Sequence, residues 1–212
     1  MCRKIDMEEK IFTNSFMYYN KRYELLVCAP PKAGCSSMKR HLLRLAGVPE
    51  TIPVHSGKAR SAISVRRQLG NNLKAVLESP SATRVMVARH PLDRLVSGYR
   101  DKLNNGGPVT GQWADHLTNY RTSRGLDTGN MTMTFREYLE MVVYTMETLG
   151  RGKVNRHYCP TTLLCSPCSV HYDYIFHTDT LTEDLQFIVD KLDVRGIDLD
   201  LHLNAKTGSN CY

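Results

Sequence analysis

No stretch of about 18 consecutive apolar residues occurs in the 212-residue sequence, so no transmembrane helix is expected within it. The opening segment MCRKIDMEEK lacks an apolar h-region, and no secretory signal is expected there. Internal repeats, low-complexity tracts and a convincing linker are also missing, which points to a soluble globular chain with one sizeable core and room for a second small lobe. Zinc-finger, RRM and helix-turn-helix signatures are absent, and the basic residues are not interleaved with stacking aromatics, so nothing in the pattern calls for a nucleic-acid partner. The Walker pattern G-x-x-x-x-G-K-[ST] is missing too, because Lys32 precedes Gly34. The Cys-x5-Arg spacing of thiol phosphatases fails by one residue between Cys35 and Arg40.

What is present is a basic chain. A net charge of +7 suits an anionic partner, whether nucleotide, acidic polysaccharide, nucleic acid or membrane surface. Seven cysteines include three within CPTTLLCSPC, at Cys159, Cys165 and Cys168. That density fits zinc, a redox C-x-x-C or disulfides, and the lack of a second ligand pair favours disulfides or buried thiols over metal. The odd total leaves one thiol over, barring an intermolecular bridge.

Two apolar runs, ELLVCA (Glu24 to Ala29) and TRVMVA (Thr83 to Ala88), read as buried strands of a parallel sheet. Each leads into a helix: Met38, Leu42 and Leu45 recur at helical spacing behind the first, and Leu92, Leu95, Val96, Tyr99 and Leu103 behind the second, where Pro91 suits a first turn. A capping box at Thr134-x-x-Glu137 predicts a third helix burying Phe135, Leu139, Val142 and Met146. A fourth follows Thr182 with Leu185, Ile188, Val189 and Leu192 inward. The stretch from Asn104 to Asn130, rich in glycine, asparagine and threonine, reads as a surface loop.

PPKAGCSS is an anion loop by its chemistry. At the carboxyl end of a parallel strand it opens a helix whose unpaired N–H groups and dipole suit a phosphate or sulfate. Gly34 permits close backbone approach, Lys32 adds a point charge, and Ser36 and Ser37 add hydroxyls. In VARHPLDRLVSGYRDK, Arg89 stands at a strand end and Ser97 about two helical turns on.

Together, PPKAGCSSMKR and RHPLDRLVSGYRDK resemble the two nucleotide-binding motifs of the Golgi carbohydrate sulfotransferases, in particular the HNK-1 and chondroitin and dermatan 4-O-sulfotransferase subfamily. The resemblance runs from about Tyr23 to Asn204 and includes VNRHYCPTTLLCSPCSVHYDYIFHTDTLTEDLQFIV; Met38, Tyr158 and Asp179 depart from the subfamily pattern. It implies an α/β, three-layer P-loop-like fold with a central parallel sheet, preceded by an extension over residues 1–22 that is a stem remnant. The domain itself occupies 23–212, truncated at its C-terminus. It also implies 3′-phosphoadenosine 5′-phosphosulfate (PAPS) as nucleotide sulfate donor and no metal. Pro31, Lys32, Ala33, Gly34, Cys35, Ser36 and Ser37 would hold the 5′-phosphosulfate, and Arg89 with Ser97 the 3′-phosphate.

For sulfuryl transfer to a sugar hydroxyl, Lys32 is the candidate for charge stabilisation and His157 for the general base. Lys39, Arg40, Arg94, Arg100 and Lys102 are candidates to face an anionic glycan acceptor, with the 4-hydroxyl of N-acetylgalactosamine as first choice. The family's Golgi setting implies an N-terminal membrane anchor, which is absent from this sequence, and the sequon Asn130-Met-Thr132 suits a lumenal protein. The alternative is an inactive truncated paralogue that binds only nucleotide or polyanion.

Overall fold

The computed structural model describes residues 16–103, 107–150, 153–201 and 203. In chain order the strands are β1 (Met17–Asn20), β2 (Leu25–Cys28), β3 (Thr83–Ala88) and β4 (Tyr174–His177). The helices are α1 (Cys35–Leu45), α2 (Gly57–Ile63), α3 (Val65–Leu69), α4 (Leu73–Glu78), α5 (Pro91–Lys102), α6 (Gln112–Arg124), α7 (Phe135–Thr148), α8 (Thr161–Cys165) and α9 (Leu181–Leu192). Contacts divide the chain into two compact units, one combining residues up to 89 with those from 164, the other running from His90 to Leu163.

The first unit is built on a four-stranded sheet in the order β1-β2-β3-β4. β2, β3 and β4 are parallel, as the valine- and leucine-rich runs predict, and the two predicted strands occupy the two central positions. The sheet is mixed rather than wholly parallel. Met17–Asn20, which the sequence alone left in the extension before Tyr23, forms an antiparallel edge strand with Met17 opposite Cys28; residues 1–15 of that extension lie outside the described residues.

Strand side chains alternate between faces. Leu25, Val27, Val85, Val87 and Phe176 enter a core shared with Met38, Leu42 and Leu43 of α1, Ala59 and Ile63 of α2, and Leu181, Leu185 and Ile188 of α9. Leu43 replaces the expected Leu45 in that core, and Val189 and Leu192 of α9 are only half-buried. On the opposite face Leu26 and Cys28 are fully buried, and Cys28 is disulfide-bonded to Cys165. Cys168 is likewise disulfide-bonded, so Cys165 and Cys168 are not a redox pair with each other. Cys35 and Cys159 are free thiols, and burial pushes the Cys159 thiol up to about 11.

The second unit corrects two expectations. Thr134 caps α7 as predicted, its hydroxyl oxygen accepting the Glu137 N–H at 3.2 Å. The inward stripe is Tyr138, Met141, Val142 and Thr145, however, while Phe135 is exposed and Leu139 and Met146 are half-buried. Tyr138 wins the interior position because its ring meets Tyr99, Trp113 and Tyr158 at centroid distances of 5.6–6.3 Å. The second correction is α6, which occupies the middle of the expected loop. Its buried stripe is His116, Leu117, Tyr120 and Arg121, half of it charged or polar, so apolar periodicity could not reveal it. Arg121 is stable inside because Glu137 accepts from it twice, at 2.6 and 2.9 Å, and the Asn130 and Thr132 carbonyls take its other N–H groups.

In the first unit, Arg84 at the start of β3 grips Asp173 beside β4. Its Nε and Nη2 donate to the carboxylate at 3.0 and 3.1 Å, and its backbone N–H donates at 2.8 Å. Burial raises the Asp173 carboxyl, but the hydrogen bonds from Arg84 and its charge outweigh that, and the net position lies below the ordinary aspartate value. Asp173→Ala is therefore expected to cost about 2–4 kcal/mol at neutral pH, since it strands a buried guanidinium. Because the folded-state value is depressed, the contribution is complete above the unfolded aspartate value of about 3.9 and fades as pH falls through the lower folded value. Urea unfolding of parent and variant at pH 7 and at pH 3 checks both points, with the gap between them narrowing in acid.

Candidate active site

Residues 29–34 connect β2 to α1 at the carboxyl end of the sheet. Ala33 is fully buried and its N–H donates to the Pro30 carbonyl at 3.3 Å, which tightens the loop into a turn. Two residues take left-handed backbone: Lys32 at φ 70° and Gly34 at φ 66°. For Gly34 the absence of Cβ matters twice, because a Cβ there would be strained by φ and would sit 3.2 Å from Leu181 Cδ2. Lys32 carries the same backbone with a side chain, a departure that the buried Ala33 and the proline before it hold in place.

The first backbone bond of α1 runs from Met38 N–H to the Gly34 carbonyl. Among the described residues no side chain caps this end and no acidic residue lies in its first turn. The N–H groups at the head of an 11-residue helix thus converge with its dipole, the condition for holding an anion.

Arg89 follows β3 directly, and its Nη1 donates to the Lys32 carbonyl at 3.1 Å. Arg89, the first residue of the second motif, therefore meets the loop of the first motif within the first unit. Ser36 and Ser37 are buried; the Ser37 hydroxyl oxygen accepts the Leu203 N–H at 3.0 Å, and the Ser36 hydroxyl pairs with His55. Pro31 and Cys35 are half-buried beside them.

Ser97 and His157 belong to the second unit. Ser97 lies half-buried on α5 and precedes Gly98, where a Cβ would meet Tyr138 Oη at 3.2 Å and the His157 carbonyl at 3.5 Å. His157 is oriented by Asn155, whose Oδ1 accepts both the His157 backbone N–H at 3.0 Å and ring Nδ1–H at 2.9 Å. Asn155 Nδ2 donates to Gln112 Oε1 at 3.0 Å, which fixes the amide so that its oxygen faces the histidine. The neutral ring consequently carries its proton on Nδ1 and its basic lone pair on Nε2. The only tryptophan, Trp113, lies 6.0 Å from the His157 ring.

Not all the candidate cations are placed to meet a ligand. Arg40 is buried, donating to the Ile52 carbonyl at 3.0 Å and pairing with Glu50 at 3.3 Å. Arg94 is buried and donates to the carbonyls of Cys159 and Arg156. Both hold structure together. Asn155, Gln112 and His55 went unrecognised in the sequence; for Asn155 the available signal was an Asx-type side chain two residues before a histidine. An open groove of about 600 Å³ between α6 and α7 is lined by Tyr120, Arg124, Leu139 and Glu140 among others, and no candidate site residue lines it. No group of three or more potential metal ligands occurs among the described residues.

The structure thus brings a strand-turn-helix loop with an uncapped helix N-terminus into hydrogen-bond contact with the arginine that follows the next parallel strand, within one α/β unit. The family model described as "Sulfotransferase family" matches residues 16–202, and the chain belongs to that family. It is similar to carbohydrate sulfotransferase 8 of Mus musculus, 29% identical over 188 residues, covering 82% of this chain and 43% of that protein. Carbohydrate sulfotransferase 14 of Homo sapiens is 29% identical over 180 residues, covering 80% and 44%. Carbohydrate sulfotransferase 11 of Danio rerio is 27% identical over 183 residues, covering 79% and 50%. The chain thus spans half or less of the length of these relatives. No solved structure matches it.

The loop geometry can be checked with two glycines. Gly47 has φ 69° but open space around its missing Cβ, whereas Gly34 has Leu181 in the way. Gly47→Ala is expected to cost about 1–2 kcal/mol, the left-handed backbone penalty alone. Gly34→Ala should cost measurably more by denaturant unfolding, because Leu181 must shift as well.

Proposed function

We propose that this chain transfers a sulfuryl group from PAPS to a sugar hydroxyl of an anionic glycan, with the 4-hydroxyl of N-acetylgalactosamine in chondroitin or dermatan as the acceptor. The observation that carries the reading is the bond from Arg89 to the Lys32 carbonyl, which couples the two motifs that resemble donor-binding motifs. Membership of the sulfotransferase family and the basic charge of +7 support it.

In this mechanism the backbone N–H groups of Gly34 to Ser37 and the Lys32 ammonium receive the 5′-phosphosulfate, while Arg89 and Ser97 hold the unreactive 3′-phosphate. His157 Nε2 takes the proton of the attacking hydroxyl as the sugar oxygen bonds to sulfur. The bond from sulfur to the phosphate oxygen breaks, its electron pair stays on that oxygen, and adenosine 3′,5′-bisphosphate (PAP) departs. Lys32 and the helix N-terminus stabilise the charge that grows there. Asn155 keeps His157 in the tautomer this proton transfer requires.

We also place the protein in the Golgi lumen, held there by an N-terminal membrane anchor. No helix among the described residues is long and apolar enough to cross a membrane. The Cys28–Cys165 disulfide supports an oxidising compartment. Exposed Asn130 is the candidate glycan acceptor, its Oδ1 taking bonds from Thr132 N–H and Oγ1–H at 2.9 and 2.8 Å.

Incubation with radiolabelled PAPS and a panel of chondroitin, dermatan, desulfated heparin and glucuronic-acid-terminated acceptors tests transfer and acceptor together. PAP binding with no transfer to any acceptor would identify a binding-only paralogue instead. Arg89→Ala is expected to weaken PAP binding by about 1.5–3 kcal/mol in calorimetry, as for other charge-assisted hydrogen bonds. Lys32→Ala should lower kcat by about 10²–10³ with a smaller loss of affinity. His157→Ala should leave PAP affinity intact and slow single-turnover transfer by about 10²–10⁴; transfer at the parent rate would remove His157 from the mechanism.

A further inference from the structure

His55 lies in the connection between α1 and α2, away from every motif that the sequence singles out, yet it touches the anion loop. Its Nε2 is 3.1 Å from Ser36 Oγ, and its Nδ1 is 3.2 Å from Lys39 Nζ. Ser36 and Lys39 are three residues apart on α1 and so share one face of the helix, with the imidazole laid across both. Lys39 is steadied from another side by the Tyr18 ring, whose centroid is 5.2 Å from Nζ.

The proton positions follow from the partners. A lysine ammonium only donates, so Nδ1 of His55 must accept, and the neutral ring carries its proton on Nε2. That N–H donates to Ser36 Oγ. The serine hydroxyl, with its oxygen taken as acceptor by the histidine, has its own proton to give elsewhere. Ser36 is buried in the first turn of α1, where the helix N–H groups converge.

We infer that His55 is a positioning residue, which fixes the Ser36 hydroxyl as a hydrogen-bond donor to the anion held at the head of α1. The inference rests on the assignment of this loop to the 5′-phosphate end of the donor. Lys39 then serves the loop by setting the histidine tautomer rather than by contacting an acceptor glycan.

The test is calorimetry with PAP on the full chain and on His55→Leu, His55→Gln, Ser36→Ala and the Ser36→Ala/His55→Leu double variant, with thermal melts to establish folding. His55 is exposed, so neither replacement disturbs a core. His55→Leu is expected to weaken PAP binding about five- to tenfold, the loss of one directed hydrogen bond. His55→Gln, which keeps an N–H donor within reach of Ser36, should recover binding to within about twofold of the parent. On the Ser36→Ala background His55→Leu should change affinity no further, which a purely structural role would not produce. Parent-like binding by His55→Leu, additive losses in the double variant, or no recovery by His55→Gln would each overturn the inference while leaving the loop assignment standing. Absence of PAP binding by the parent would overturn both.

Discussion

The parallel pairing of Leu25–Cys28 with Thr83–Met86 fixes where two segments of chain leave the sheet. Parallel neighbours end at the same edge, so the loop after β2 and the residues after β3 emerge side by side, and a guanidinium on one reaches a carbonyl on the other. Antiparallel pairing would have sent them to opposite edges. The sheet holds this arrangement because both faces of its two central strands are buried. The Arg84–Asp173 grip adds a clamp at the entry to β3 and β4. The anion loop therefore inherits its geometry from the sheet, and needs no rigidity of its own beyond the turn at Ala33.

Polar groups do much of the fine positioning. Asn155 sets one histidine through its ring Nδ1, Lys39 sets another, and in each case a residue with fixed donor or acceptor character decides which nitrogen carries the proton. The arginines divide similarly. Arg84, Arg94 and Arg121 are buried and satisfied by carbonyls and carboxylates, and Arg40 is buried against the Ile52 carbonyl and Glu50, so the positive composition of the chain overstates the number of cations available to a ligand. Arginine suits such interior roles because its planar fork satisfies several acceptors at once.

The two central strands and the helices behind them were legible because a short run of valine and leucine ending in glycine, proline or a basic cap has few other solutions. The strand-to-helix turn from Pro31 to Ser37 was legible for the same reason: Pro31 and Gly34 mark a local change of direction before a helical run. β1 was missed because Met-Tyr-Tyr-Asn has neither alternation nor β-branched residues, and its place comes from pairing with β2. Helix α6 was missed because its inward face uses His116 and Arg121, whose partners lie on other segments. The register of α7 slipped for a related reason: Tyr138 is counted as amphipathic by its composition but is drawn inside by three other rings. His55 and Asn155 show the general limit, since a positioning residue is defined by what it touches.

The disulfide between Cys28 and Cys165 spans 137 residues of sequence, and the whole of the second unit, from His90 to Leu163, lies inside that span. The unit is thus an insertion within a closed covalent ring. A single cut by a protease anywhere in the inserted stretch opens the ring without releasing a piece, and the nicked molecule keeps its mass until a reductant separates the halves. The exposed segment around Leu126 to Asn130 can be severed in this way while the strand carrying Cys28 and the helix carrying Cys165 stay tethered. Damage to the insertion is in this sense recorded by the chain rather than lost from it.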